Sequence, residues 1–237
     1  MHVNGRHDDT FISGRTALLA RTVELLRGRA GSGGRIILGL AGPPGAGKST
    51  LARYLVTEID RLEGQGTAAY LPLDGFHLSN TQLERLGLRA RKGSPESFDA
   101  WGYVALLRRV AAERFRDVYV PDFDRELDEP VAARHVVRPH TRLVVTEGNY
   151  LANAHAPWPE ARQLLRELWY VDADDAVREE RLLQRHVNGG RDAAAARHWI
   201  ESNDHPNGEY VKEGLAACTG VVRGGDLPAA VDGRTVS

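Results

Sequence analysis

Lysine, cysteine and long apolar runs are what this 237-residue sequence has least of. Its single cysteine, Cys218, excludes an internal disulfide framework and a multi-cysteine metal cage. A small buried core residue is the expected use of such a thiol. No stretch approaches the ~20 apolar residues that span a bilayer, and Met1 to Thr10 carries no apolar signal core. A cytoplasmic, unexported chain without membrane partners is the expectation. Neither sign of charge dominates: 31 basic residues stand against 32 acidic ones for a formal charge of -1, so nothing global draws the chain to nucleic acid. Arginine supplies 28 of the basic residues, leaving only Lys48, Lys92 and Lys212, so a lysine inside a motif carries information.

What is present is ordinary globular composition, 42% hydrophobic and 27% charged, in a length that suits one domain over residues 1–237. Leu18, Thr22, Leu25 and Leu26 fall on one helical face, which predicts an N-terminal helix over about 14–30. A glycine-rich linker, Gly28 to Gly34, follows. Apolar runs at Arg35–Ala41, Ala68–Leu73, Leu143–Thr146, Leu168–Val171 and, more weakly, Gly220–Val222 read as about five buried strands. Helical spacing lies between them, at Leu51–Leu62 and through Val104, Leu107, Ala111 and Phe115. Alternating strands and helices predict an α/β fold, a three-layer α/β/α sandwich on a parallel sheet with its core at about 35–222. Ligands then bind beyond the carboxyl ends of the strands.

Directly after the first core strand stands Gly42-Pro43-Pro44-Gly45-Ala46-Gly47-Lys48-Ser49-Thr50, a complete phosphate-loop pattern followed by a helical stretch. Glycines at 42, 45 and 47 let successive N–H groups, that of Ala46 included, point at phosphate oxygens, and the helix start adds partial positive charge. Lys48 is the mobile cation for the β- and γ-phosphates. Ser49, followed by Thr50, offers a hydroxyl to Mg²⁺. No Asn-Lys-x-Asp or Leu-Ser-Gly-Gly-Gln segment occurs, which disfavours GTPase switches and transporter ATPases and leaves a small-molecule kinase in front. The rival class is a P-loop ATPase or nucleotide-responsive binding protein without kinase activity.

Asp74, at the end of Leu71-Pro72-Leu73-Asp74-Gly75-Phe76-His77, is the candidate general base for an acceptor hydroxyl. His77 is either a packed residue or a substrate contact. Glu147 closes another strand and either holds Mg²⁺ or meets the acceptor hydroxyl. Arg89, Arg91 and Lys92 form a local basic cluster suited to an anionic group. Asp174 to His186 should be helical, placing Arg178, Arg181 and Arg185 on one face of a lid over about 174–206, with Arg181 or Arg185 against the transferring group. Asn188-Gly189-Gly190 is its expected hinge. Asn203 to Asn207 is its expected end, the asparagines acting as caps or substrate contacts.

Together the P-loop, Leu73-Asp74-Gly75-Phe76-His77, Arg91-Lys92-Gly93-Ser94-Pro95-Glu96-Ser97-Phe98-Asp99, Thr146-Glu147-Gly148-Asn149-Tyr150 and Arg181-Leu182-Leu183-Gln184-Arg185-His186 resemble the uridine kinase, pantothenate kinase and phosphoribulokinase superfamily. They look closest to its nucleoside/nucleotide kinase-like members, some called fructose-transport kinases. The resemblance implies an ATP- and Mg²⁺-dependent P-loop kinase with a mobile lid, a homodimer, and a small-molecule hydroxyl acceptor of nucleoside, sugar or pantothenate-like type. It implies Asp74 as base and the Arg91–Asp99 stretch beside the acceptor pocket; His77, Arg91, Lys92, Glu147 and Asn149 are the candidate substrate residues. Asp122, Asp124 and Arg125 resemble a further acceptor-side loop.

Overall fold

The computed structural model describes residues 11–28 and 34–223. The readings of the N-terminal decapeptide, of most of the glycine-rich linker and of the tail beyond Arg223 lie outside these residues. Among the described residues, β1 (Phe11–Ile12), β2 (Ile36–Ala41), β3 (Ala68–Pro72), β6 (Leu143–Glu147), β7 (Glu167–Asp172) and β8 (Gly220–Arg223) form one sheet in the order β1-β8-β7-β2-β6-β3. Every pairing in it is parallel. The five expected strands are all present. The two-residue β1 is an edge addition that its brevity hid.

Alternation along β2 explains the layers. Ile36, Leu38 and Leu40 face a core completed by Leu18, Leu25 and Leu26 of α1 (Arg15–Arg27) and Leu51, Leu55 and Ile59 of α2 (Lys48–Glu63). Ile37 and Ala41 face the other core, built with Tyr103, Val104 and Leu107 of α4 (Ala100–Ala112) and Trp158 and Ala161 of α5 (Trp158–Gln163). A strand buried on both faces must be apolar throughout, which is why these runs were continuous rather than alternating. Asp99 starts α4 by accepting from the Gly102 N–H at 2.8 Å. Phe115 does not extend that helix: the chain leaves it at Glu113, and the Phe115 ring is 91% exposed. Cys218 is only half-buried, packed against the second core, and burial pushes its thiol up to about 12.

An antiparallel hairpin, β4 (Val118–Asp124) and β5 (Glu129–Val137), forms a second sheet that the sequence reading did not foresee. Pro121 and the charged residues in both strands mask the pattern. The register shifts between Val120 and Asp122, so Pro121, which has no N–H for a ladder, sits at an irregularity. Asp122 and Asp124 are therefore strand residues, and Arg125 belongs to the hairpin turn. The hairpin crosses the turn after β3 so closely that a Cβ on Gly75 would lie 2.4 Å from the Pro121 carbonyl oxygen.

The proposed lid is α6 (Asp175–Asn188), α7 (Ala193–Trp199), a π-helical turn (Ile200–Asp204) and α8 (His205–Lys212). Gly190, with φ +91°, breaks the chain between α6 and α7, within the segment read as a hinge. The end expected at Asn203–Asn207 is not found. The helix runs on through the π turn into α8, with Pro206 in the turn that follows.

Candidate active site

Strand β2 delivers Gly42 to the carboxyl edge of the sheet in a backbone conformation of φ +144°, where a Cβ would lie 2.3 Å from the Val171 carbonyl oxygen. Only glycine fits there. The loop then turns into α2, whose first N–H groups open onto the cleft as an anion-binding helix start. Lys48 lies buried and donates to the Pro43 carbonyl at 2.9 Å, folded over the loop it belongs to. Burial pushes its ammonium down to about 8 against the opposing pull of Glu147 and Asp74.

Strands β2, β6 and β3 are neighbours, and that adjacency assembles residues far apart in sequence. The Glu147 carboxylate, at the end of β6, accepts at one oxygen from the Ser49 hydroxyl at 3.0 Å and the Tyr70 hydroxyl at 2.7 Å. Burial raises the Glu147 carboxyl above the usual carboxylate range, and nearby Asp74 adds to it. Burial and the same carboxylate raise the Tyr70 phenol, so it keeps its proton and remains the donor. Tyr70 was not singled out from the sequence; an apolar-flanked tyrosine in a strand reads as core.

Asp74 lies one turn beyond β3, in the 3₁₀ segment Leu73–Phe76, with about a third of its side-chain surface reaching solvent (32%). Burial alone would raise its carboxyl. His77, Arg125, Arg185 and Lys48 together outweigh that and hold it below its ordinary value. Burial in turn depresses His77, against the opposing pull of Asp74. Two carboxylates in one cleft are thus pushed in opposite directions, Asp74 down and Glu147 up. The His77 ring donates from Nδ1 to the Asp74 carbonyl at 2.8 Å and stacks between Phe98, 4.0 Å away, and Phe123, 4.8 Å away. It is packed beside Asp74.

Towards the hairpin, Lys92 is buried and its ammonium is engaged by the Asn80 side-chain oxygen at 2.7 Å and by Asp128 at 3.0 Å, over the Phe123 ring. It ties the segment before Gly93 to the hairpin. Arg91 is exposed, and Asn149 sits half-buried in the turn after β6. The structure therefore brings Lys48, Ser49, Asp74 and Glu147 together, while Lys92 joins the hairpin and Arg91 lies in the field of Glu96 and Tyr150 instead. Asp122 is held by His135 at 2.9 Å, and Asp124 shapes the turn by accepting from the Glu126 and Leu127 N–H groups. Arg125, by contrast, reaches Asp74 at 3.5 Å.

The three lid arginines divide. Arg178 is buried and donates to the Pro44 carbonyl at 2.9 Å, and Arg181 donates to the Gly45 and Ala46 carbonyls at 3.2 and 3.4 Å. Both dock the lid on the back of the phosphate loop. Arg185 alone turns inward, 3.6 Å from Asp204 and within the field of Asp74 and Arg125. Asn203 neither caps a helix nor stays free; it donates to the Lys92 carbonyl at 2.7 Å.

A divalent cation fits the donor set. Mg²⁺ takes hard oxygen ligands, commonly one carboxylate plus a hydroxyl and phosphates rather than an all-protein cage. Ser49 and Glu147 supply such a pair, and among the described residues no group of three His, Cys, Asp or Glu forms a metal cage. No helix among them is long and apolar enough to cross a membrane.

No family model matches the chain. A Schizosaccharomyces pombe protein named "Putative uridine kinase" is 34% identical over 187 residues, 77% of this chain and 78% of that protein. The ATP-dependent kinase YFH7 of Zygosaccharomyces rouxii is 27% identical over 220 residues, 78% of this chain and 57% of that longer protein. A crystal structure from Silicibacter sp. TM1040, described as a "putative fructose transport system kinase", superposes with a TM-score of 0.75 at 33% identity, covering 87% of this chain and 97% of that one.

Proposed function

The chain belongs to the uridine kinase-like P-loop kinases, and from that premise we propose that it transfers the γ-phosphoryl group of ATP to a hydroxyl of a small molecule, with Asp74 as general base. The observation that carries the reading is the convergence at one sheet edge of a phosphate loop, a carboxylate held ionised at Asp74, and cations from both the hairpin and the lid. Phosphoryl transfer asks little covalent chemistry of a protein. It asks for alignment of the acceptor oxygen and for positive charge around the moving group.

In this reading the N–H groups of the loop and the Lys48 ammonium hold the β- and γ-phosphates. Lys48 leaves its resting partner, the Pro43 carbonyl, to do so, and the phosphates return its pKa toward the ordinary value. Asp74 accepts the acceptor hydroxyl's proton and orients that oxygen toward the γ-phosphorus. A carboxylate of depressed pKa suits the task, because the acceptor proton leaves late and the carboxylate's chief contribution is orientation. Arg185 faces the developing charge. Ser49 and Glu147 would hold Mg²⁺, which when bound supplies charge neutralisation on the phosphate oxygens. Burial makes ionised Glu147 costly, and a cation bound there would remove that cost. The acceptor lies between Asp74 and the His77–Phe98–Phe123 stack, under the hairpin, and nucleosides, sugars and pantothenate-like alcohols are the classes to try.

The test is ADP release from ATP and Mg²⁺ across a panel of nucleosides, sugars and pantothenate. A hydroxyl compound should raise turnover well above slow hydrolysis, and Asp74→Asn should remove that increment. If no acceptor raises turnover and Asp74→Asn changes nothing, the protein is a nucleotide-responsive ATPase instead.

A further inference from the structure

The lid arginine that faces the cleft is not held by the cleft. Its nearest acidic partner is Asp204, which is 5% exposed and lies in the π-helical turn between α7 and α8. Asp204 divides its two oxygens: Oδ1 faces Arg185 at 3.6 Å, and Oδ2 lies 2.7 Å from Nε2 of His186. The other ring nitrogen of His186 is 2.7 Å from the Arg191 guanidinium, which lies over the Trp199 ring at 4.2 Å. Arginine has donors only, so Nδ1 must accept and bears no proton; the ring proton is on Nε2 and is donated to Asp204. The chain of donors is therefore directional, from Arg191 through His186 to Asp204, and it leaves Oδ1 of Asp204 for Arg185.

We propose that Asp204 is a positioning residue for phosphoryl transfer: oriented by His186 and Arg191, it holds the Arg185 guanidinium toward Asp74 and the transferring group. Three features separate this from an ordinary buried ion pair. Arg185 lies in the repulsive fields of Arg125 and Arg191, and Asp204 opposes them more strongly than Asp74 does. Arg178 and Arg181, on the same helix face, donate to backbone carbonyls of the phosphate loop, Arg178 also to the Asp175 side chain, whereas among the described residues Arg185 has no such carbonyl partner and is held by Asp204. The π turn also carries Asn203, whose amide donates to the Lys92 carbonyl, so the turn that holds Asp204 is itself anchored to the acceptor-side segment. A π-helical step is a frequent device for setting such a residue out of ordinary helical phase. The inference rests on the cleft being a phosphoryl-transfer site.

The experiment is a double-variant cycle on turnover of MgATP, read as transfer where an acceptor works and as hydrolysis otherwise, with melting temperature and ATP-analogue affinity recorded for each protein. Asp204→Asn keeps the shape and removes the charge. It should lower kcat about tenfold or more, as expected when a catalytic cation loses its alignment, with KM for ATP little changed. Arg185→Ala should cost at least as much, and adding Asp204→Asn to it should cost almost nothing further. His186→Gln, which keeps a donor near the Nε2 position, should retain most of the kcat that His186→Leu loses. Independent, multiplying effects of Asp204→Asn and Arg185→Ala would overturn the proposal, as would an unchanged kcat in Asp204→Asn or in Arg185→Ala. Loss of the kinase reading has a separate signature, no acceptor dependence and an inert Asp74→Asn, and the cycle is then read on hydrolysis.

Discussion

The Arg125 guanidinium reaches from the hairpin turn to within 3.5 Å of the Asp74 carboxylate, although 50 residues separate them in sequence. That contact makes a structural element of its own, the hairpin, an electrostatic neighbour of the proposed base. With 52% of its side chain exposed, Arg125 acts through a partly screened interaction. Its effect on Asp74 is nonetheless in one direction, downward.

Arg125→Ala should therefore move the acid limb of the pH dependence of kcat/KM to higher pH. The sign follows from the charge removed: the ionised carboxylate loses a favourable neighbour, so a larger share of Asp74 is protonated at a given pH below neutrality. Turnover rates of both proteins across the acid range would check it, and an unshifted limb would count against Asp74 as base.

Lys48, pushed down to about 8 by burial, predicts a pH dependence of nucleotide binding. Phosphates favour the ammonium form, so binding near or above that pH must take up a proton, and affinity for a non-hydrolysable ATP analogue should weaken as pH rises past about 8. Calorimetry in buffers of different ionisation enthalpy would detect the proton. For stability the sign is opposite to that of a stabilised lysine: a folded pKa below the unfolded 10.5 is a cost at neutral pH that is relieved as pH rises from about 8 toward 10.5. Lys48→Ala should abolish the thermal stabilisation given by nucleotide.

Gly75→Ala should destabilise the fold and displace the base. A Cβ there would lie 2.4 Å from the Pro121 carbonyl oxygen and 2.8 Å from the Asp122 nitrogen, both backbone atoms that cannot swing aside. Overpacking of this kind costs about 1–3 kcal/mol, and relief requires the hairpin to move away from Asp74. A lower melting temperature together with a reduced kcat is expected.

Lys92→Met should loosen the acceptor side while sparing the nucleotide side. The ammonium bridges Asn80 and Asp128; its loss leaves the Asn80 side-chain oxygen without this donor, about 1–3 kcal/mol for a buried group, while Asp128 keeps Arg89 at 3.0 Å. The expected kinetic result is a raised KM for the acceptor with KM for ATP nearly unchanged. An equal rise in both would contradict the placement of the hairpin over the acceptor.

Local features were legible in the chain itself. The phosphate loop is a contiguous pattern whose glycines answer to the φ of +144° at Gly42 and the left-handed Gly47 that starts α2, so spacing alone found it. Asp74 and Glu147 were legible because each closes a continuous apolar run, and strands in such sheets present their carboxyl ends to the ligand. The hairpin was not, since Pro121 and interleaved charge break the period-two pattern that betrays a strand. Phe115 misled for the complementary reason: it keeps helical phase past the point where α4 stops.

What the sequence by itself determined is the loop, the alternation of strands and helices, and the identities of the groups able to bind phosphate, take a proton or hold a cation. These depend on hydrogen bonds and dihedrals within a few residues. Only the tertiary structure decided which of them meet. Strand order sets Ser49 and Tyr70 on Glu147, the hairpin carries Arg125 to Asp74, and the π turn brings Asp204 behind Arg185 while Arg178 and Arg181, identical in kind and on the same helical face, go to backbone carbonyls instead. Side chains of one chemistry acquire different roles because the field and the partners around each are set by segments distant in sequence, and no local pattern encodes those distances.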